Sequence, residues 1–476
     1  MSASSFRFYA FLILLLTVRL VFLALTKLPL DCEEAQYWSW GAESLSWGYF
    51  SKPPITSWLM ALMTDIGGRS SFWVRCLSPV FHFIVALVIY RWTRMEMAVN
   101  KARLASLLYF TLPGTFFSSI LMTTDVPMLL MSSVCLYFIW QGIQKQRLTC
   151  WAVAGVFLGL AMLSKYIAAF IPLSVIGYAL FNDRQLFKQP GLYLMLGVAG
   201  VVMLPHLYWL FTNDFTTITH TLHSNMVVST YGTKLNFNAF FEYISGQFAI
   251  FGPLLIGVIL TKRFWQPVQP LEKFSHWLVW PLFTLICLQG LLAKVNLNWG
   301  ILIVFGMILL TTMVMSERFL KQMIITNTVI GVIGVGLLFD PYASMKALGV
   351  KYKGLKHYQL LQKAMQHTNQ ICPEKMCHLI ADHRCVAALA RFYGDYASAH
   401  KWYRGEGGKD YFEWTSPYKA RDNSAPGNFF ILTQRPLVEF SRFEKLWNEV
   451  KIMPDHTLYY VSGTPGFRLR DDPWYP

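Results

Sequence analysis

Apolar runs recur from residue 8 to residue 339, broken by short polar stretches, and then the pattern stops. About 20 apolar residues in a helix cross the hydrocarbon of a bilayer. On that measure the candidate spans are 7–28, 70–91, 103–120, 124–141, 149–164, 166–181, 191–211, 239–260, 274–293, 297–315 and 323–340, several of them short. Residues 54–67 form a further apolar stretch, too short to span, which reads as a re-entrant or interfacial helix leading into the second crossing. The first run, 8–25, is longer than the core of a signal peptide, and no small-residue cleavage site follows it before Pro29. It reads as an uncleaved first helix. Arg19 within it is costly against lipid and is expected to face the bundle or pair with an acid.

Beyond residue 340 the chain turns polar and is punctuated by Pro and Gly. CHLIAD, NFFILTQ and HTLYYVSG alternate as strands do; VAALARFYG and FSRFEKLWNEV read as helices. The pattern predicts an α-helical polytopic membrane protein with about eleven crossings, residues 1–340, followed by a small α/β domain, residues 341–476.

Charge orients this frame. With the N-terminus in the cytoplasm, the cytoplasmic loops hold Arg91, Arg94, Lys101 and Arg103; Lys145 and Arg147; Arg184 and Lys188; Lys262, Arg263 and Lys273; Arg318 and Lys321. The opposite face holds mainly single lysines: Lys27, Lys52, Lys165, Lys234 and Lys294. Every loop obeys the positive-inside rule. The non-cytoplasmic side, the periplasm in a bacterium, then receives the loop at Glu33 and Glu34, the turn before Asp125, the loop at Lys165, segment 212–238 and the tail.

Composition agrees: 54% of residues are hydrophobic and 14% charged, too apolar for an ordinary soluble domain. The net charge of +15 is dispersed in clusters between apolar segments, so it writes topology and excludes nucleic acid as a partner. Of the eight cysteines, Cys76, Cys135, Cys150 and Cys287 fall in or beside apolar helices, where a thiol packs as a small hydrophobe. Cys372, Cys377 and Cys385 cluster in the tail. Their spacing with His378 and His383 fits no standard zinc pattern, and an oxidising compartment favours a Cys372–Cys377 disulfide with one thiol left over. No metal site and no cofactor are expected; a divalent cation is not indicated.

The chemistry concentrates in 30–58, LDCEEAQYWSWGAESLSWGYFSKPPITSW. Asp31, Glu33, Glu34 and, at the start of another span, Asp125 share one membrane face, where a carboxylate can take a proton from an acceptor hydroxyl. Asp125 also suits a helix cap, the lesser reading of its role, and both roles can hold together. Lys52, Arg75, Lys165 and Lys294 could meet an anionic group such as a phosphate, though Lys165 and Lys294 could simply snorkel from helix ends. Lys52, set before Pro53 and Pro54 in a rigid turn, is the hardest to dismiss. The aromatics Tyr37, Trp38, Trp40, Trp47, Tyr49, Phe50 and Trp58 suit an interfacial belt, with room for sugar stacking by one or two. His206, Asn213, Asp214, His220 and His223 mark a segment that reads as a substrate-covering loop or a plain connecting loop.

Six elements in order, EEAQYWSW, GYFSKPPITSW, FWVRCLSP, TTDVPMLL, GLAMLSKY and NLNW, resemble the bacterial GT-C glycosyltransferases related to protein O-mannosyltransferases and aminoarabinose transferases. The resemblance spans roughly 8–340 and continues more weakly into the tail. It implies an inverting transferase of the inner membrane that takes a sugar from a polyprenyl-phosphate donor to lipid A, another glycan or a protein hydroxyl. Glu33, standing where the family carries Asp, with Glu34 and Asp125, would be catalytic. Lys52, Arg75 and Lys165 would hold the donor phosphate, and Tyr49, His206 and Asn298 would contact substrate. The rival class is a transporter or flippase of a lipid-linked or anionic solute, which expects charges near mid-membrane and two related halves. Here the ionisable residues gather at one mouth and no repeat is seen.

Overall fold

The computed structural model describes residues 3–225, 235–349, 353–371, 377–381, 383–394, 398–401, 428–433, 447–453 and 456–461. It divides into two compact units, one of residues 1–26, 46–59 and 72–340, the other of 27–45, 60–71 and 341–476.

The first unit is a multi-pass helical bundle. Among the described residues, six helices are long and apolar enough to cross a membrane: Ser5–Leu25, Ser71–Thr93, Asp125–Lys145, Pro190–Thr212, Pro270–Leu292 and Glu317–Leu337. Three further apolar helices, Leu148–Ser164, Tyr166–Phe181 and Ile301–Val314, are shorter. The remaining two expected spans are each broken. Val99–Thr111 stops at Leu112, which is extended before Pro113, and a short helix Pro113–Ser118 follows. Phe237–Phe251 ends at Gly252, whose φ of +87° brings its backbone so close to Asn327 that a Cβ would lie 1.9 Å from Oδ1. The proposed re-entrant stretch forms the helix Ile55–Gly67.

Where no water reaches, buried polar groups of the bundle turn to one another and to backbone carbonyls, as Arg19 and His82 do. Arg19 is buried and, among the described residues, has no acid beside it. Its guanidinium donates to the Ser119 hydroxyl at 2.9 Å and the Phe110 carbonyl at 2.5 Å, and lies between the rings of Phe110 and Phe116 at 3.9 and 4.4 Å. His82 bridges Tyr109 and Ser118 at 2.8 and 2.9 Å.

One contact positions the later chemistry. Gly155 and Gly159 of Leu148–Ser164 lie against Pro190–Thr212 so closely that a Cβ on either would stand 2.6 Å from Met195 O or Val202 Cβ. This small-xxx-small pairing draws two backbones together.

The second unit joins loop and tail segments. Cys32–Glu43, Lys353–Ile371 and Arg384–Tyr393 are helices, and five strands form one mixed sheet: β1 (Cys377–Ala381), β2 (Ser398–Lys401), β3 (Asn428–Thr433), β4 (Trp447–Met453) and β5 (His456–Val461), in the order β2-β1-β3-β5-β4. β1 runs parallel to β2 and β3; β5 is antiparallel to β3 and β4. Leu379, Ala381, Ala399, Phe430 and Leu432 are buried with the period-two spacing of a sheet face. The helix expected for FSRFEKLWNEV is corrected over Trp447–Val450, which pairs with β5, since cross-strand pairing overrides a helix-forming composition.

The cysteine reading also changes. Cys32 and Cys385 form a disulfide across 353 residues, with Cα atoms 4.8 Å apart. Cys385 is therefore not the leftover thiol, and the Cys372–Cys377 pairing lies outside the described residues. Cys76, Cys135 and Cys150 are free and buried, Cys287 free and half-buried.

Candidate active site

In the bundle unit, the sequence TTDVPMLL starts its helix at Asp125 itself, and Thr124 makes no side-chain cap. Asp125 makes no capping bond either; it is only 4% exposed, and each oxygen takes a side-chain donor. Lys165 Nζ donates to Oδ1 at 2.6 Å and Asn298 Nδ2 to Oδ2 at 2.6 Å. Lys165 sits where Leu148–Ser164 ends and a short 3-10 helix, Tyr166–Ala169, begins. Asn298 lies in the turn between Pro270–Leu292 and Ile301–Val314. Three distant segments thus converge on one carboxylate. Burying such a pair is tolerable only because charge and lone pairs are both met.

Beside Lys165, Tyr166 hydrogen-bonds His206 Nε2 at 2.7 Å, and His206 Nδ1 lies 2.6 Å from the Trp47 carbonyl. A carbonyl only accepts, so Nδ1 carries the proton and Nε2 accepts from the phenol. His206 rides on Pro190–Thr212, the helix that the two glycines bring against Leu148–Ser164. It therefore fastens the 46–54 loop to the bundle. Two more fastenings come from the helix Thr216–Asn225: Thr217 donates to the Tyr49 carbonyl at 2.6 Å, and His220 packs on Phe50 with ring centres 4.6 Å apart. Within the loop, Tyr49 N–H donates to Lys52 O at 3.1 Å, closing a turn that presents Lys52 ahead of the two prolines. Arg75 is 1% exposed at the end of the helix Ser71–Arg75. Lys294 is exposed, and residues 226–234 of the expected covering segment lie outside the described residues.

The acid pair lies in the other unit. Asp31 caps Cys32–Glu43, accepting from Glu33 N–H at 3.2 Å, while Glu34 accepts from Asp31 N–H at 2.9 Å in a capping box. Glu34 is buried and structural in this bond. Glu33 is exposed and accepts the Tyr37 hydroxyl at 2.9 Å. Burial first, then the nearby Glu34, raises the Asp31 pKa above its ordinary value. The acidic helix is fixed within its unit by the Cys32–Cys385 disulfide, by Arg384 to Gln36 at 3.2 Å and Arg391 to Glu43 at 2.9 Å, and by Trp38 edge-on to Phe392 at 4.8 Å.

Residues 51–209 match the family described as dolichyl-phosphate-mannose-protein mannosyltransferase, a stretch that holds Lys52, Arg75, Asp125, Lys165 and His206. The chain is 28% identical over 330 residues to the lipid A galacturonosyltransferase RgtD of Rhizobium johnstonii, covering 67% of each. It is 29% identical over 217 residues to the lipopolysaccharide core galacturonosyltransferase RgtB of the same organism, 44% of this chain and 42% of that one. ArnT from Cupriavidus metallidurans in the apo state superposes with a TM-score of 0.65 at 14% identity, over 96% of this chain and 98% of that one. The chain has the GT-C fold of ArnT and resembles these glycosyltransferases in sequence. ArnT bound to undecaprenyl phosphate matches this GT-C chain equally, with a TM-score of 0.66 at 15% identity over the same shares.

Of the sequence-selected positions, the structure joins Asp125, Lys165 and Asn298 in one cluster, and His206 with the loop of Tyr49 and Lys52 in another. Asn298, selected for substrate, instead donates to Asp125, and Lys165, selected for phosphate, has one N–H on that same acid. Tyr166 and Thr217 were missed. Tyr166 carried a signal, being the neighbour of Lys165 in SKY; Thr217 carried none, because it acts on a backbone carbonyl.

Proposed function

We propose that this glycosyltransferase moves a sugar from a polyprenyl-phosphate donor to a hydroxyl of a periplasmic glycolipid, with lipid A the acceptor. The observation that carries the reading is buried Asp125, held by Lys165 within the family-matched stretch and by Asn298 beyond it, beside a fixed turn that presents Lys52. The likeness to a protein solved with undecaprenyl phosphate supports the donor class, and the RgtD likeness supports the acceptor.

In this mechanism Glu33 or Asp125 accepts the acceptor's hydroxyl proton. The oxygen attacks the anomeric carbon opposite the phosphate; the new C–O bond forms as the bond to phosphate breaks, and configuration inverts. Polyprenyl phosphate leaves with the electron pair. Lys52 and Arg75, with the N–H groups of Lys165 not directed at Asp125, offset the charge growing on phosphate. Asn298 keeps Asp125 aimed, and Tyr49 and His206 keep the loop in place. The positive-inside pattern supports a cytoplasmic N-terminus and a periplasmic tail in the bacterial inner membrane.

The test is mass spectrometry of lipid A and envelope glycans from cells with and without the protein. Loss of a defined sugar from lipid A is the expected result. An unchanged glycan profile, with sugar-linked polyprenyl phosphate accumulating on the cytoplasmic face, would replace transfer by lipid flipping.

A further inference from the structure

The disulfide of the second unit has unusual neighbours. His357, His383 and Cys385 each bring a potential ligand atom within 4.8 Å of the others. The two imidazoles are nearly parallel, 13° apart, with ring centres separated by 4.2 Å. Cys32, covalently joined to Cys385, necessarily brings a second sulfur to the same spot. Two sulfurs and two imidazoles are the donor set of a tetrahedral zinc site.

Local structure places both cysteines at helix starts. Cys32 is the first residue of the helix Cys32–Glu43, and Cys385 is the second of Arg384–Tyr393. Access is provided on one side: His383 is exposed and His357 half-buried, whereas Cys385 is buried. His383 Nδ1 now accepts the Cys385 N–H at 3.2 Å, a long bond that a metal at Nδ1 would replace. Drawing the ligands from 4.8 Å to the spacing set by metal–nitrogen and metal–sulfur bonds of roughly 2.0–2.3 Å requires a closure of about 1 Å.

We propose that Cys32, His357, His383 and Cys385 form a redox-gated site for a divalent zinc-class metal ion, closed by the disulfide when oxidised and by the metal when reduced. Opening consumes two electrons and two protons from a dithiol reductant, which itself becomes a disulfide. Metal binding then releases the two thiol protons. Either closure ties the helix that carries Glu33 to Arg384–Tyr393, so this part of the unit keeps its geometry in both redox states. The proposal does not depend on the transfer chemistry.

The test uses purified full-length protein carrying Cys372→Ser and Cys377→Ser, so that those thiols cannot contribute. Cobalt(II) is added before and after reduction with a phosphine, which opens the disulfide as it takes up oxygen from water. The expected result is one equivalent of cobalt in the reduced protein only, with sulfur-to-cobalt charge-transfer absorption that zinc displaces. Cys32→Ser should abolish the absorption. His357→Ala and His383→Ala should each weaken binding by at least about tenfold, the least that disturbing a metal's surroundings costs. Without any ligand variant, zinc should protect Cys32 and Cys385 from alkylation, read by peptide mass spectrometry. No charge-transfer band, a band indifferent to both histidines, or equal binding by the oxidised protein would each overturn the site.

Discussion

Asp125 and Glu33 look alike in the sequence, each a carboxylate expected at the same membrane mouth, but the structure gives them opposite surroundings. Asp125 is buried, with a cation on one oxygen and an amide on the other. Glu33 is exposed, its carboxylate accepting the Tyr37 phenol. The first is locked in place and its charge is compensated. The second is held loosely enough to meet a substrate hydroxyl. A buried, paired acid should lose stability as well as activity on substitution and an exposed one activity alone, which is how the two are told apart.

The largest effect is expected at Asp125. Asp125→Ala leaves Lys165 without its counter-charge in a largely buried place and should cost about 3–5 kcal/mol together with all transfer activity. Thermal unfolding in detergent and transfer assays read the two effects separately. Pairing Asp125→Asn with Lys165→Met should restore most of the stability and none of the activity. Recovery of activity would make Asp125 purely structural.

Glu33→Gln should lower turnover by about 10²–10⁴-fold, the worth of a general base, while stability stays within about 0.5 kcal/mol, as for an ordinary exposed site. Full turnover would move the base role to Asp125. A smaller step separates orientation from chemistry. Tyr37→Phe removes the phenol that aims Glu33 and should reduce kcat about fivefold, equivalent to roughly 1 kcal/mol for one hydrogen bond. KM for the donor should not change; a rise in KM alone would place Tyr37 in binding.

The smallest effect concerns Asp31, whose folded-state pKa is raised by burial and by Glu34. A raised pKa means that its contribution to stability is fully present below the unfolded value and is lost as pH rises through the folded one. Asn caps a helix about as well as Asp. Asp31→Asn should therefore raise the melting temperature slightly at neutral pH. The gain should shrink to nothing as pH falls below about 3.8, the ordinary value for this carboxyl. A gain that persisted in acid would point to better capping as its origin.

Much of the frame was legible in the chain because bilayer thickness imposes a length on apolar helices, and six of them appear at the expected places. What failed was continuity. Pro113 and Gly252 interrupt runs that remain apolar throughout, so a hydropathy pattern reads straight through a backbone break. Arg19 was correctly sent inward, yet its partners proved to be a hydroxyl, a carbonyl and two rings, none with a sequence signature. At the site, Asp125 and Lys165 were singled out by charge, but as separate roles. Their pairing, and Asn298 beside them, is a product of three-dimensional convergence across 173 residues that periodicity cannot reveal. The Cys32–Cys385 bond was hidden for the same reason, since cysteine spacing points first to near neighbours.

The fastening of the 46–54 loop has one further consequence. His206 and Thr217 take hold of Trp47 and Tyr49 by their carbonyl oxygens, which every amino acid possesses. The grip is blind to the side chains it carries. A loop mounted in this way keeps its path when the exposed Trp47 side chain is exchanged, whereas Tyr49 is buried and its hydroxyl takes the Ser46 N–H, so variation by substitution has its natural place to begin at 47.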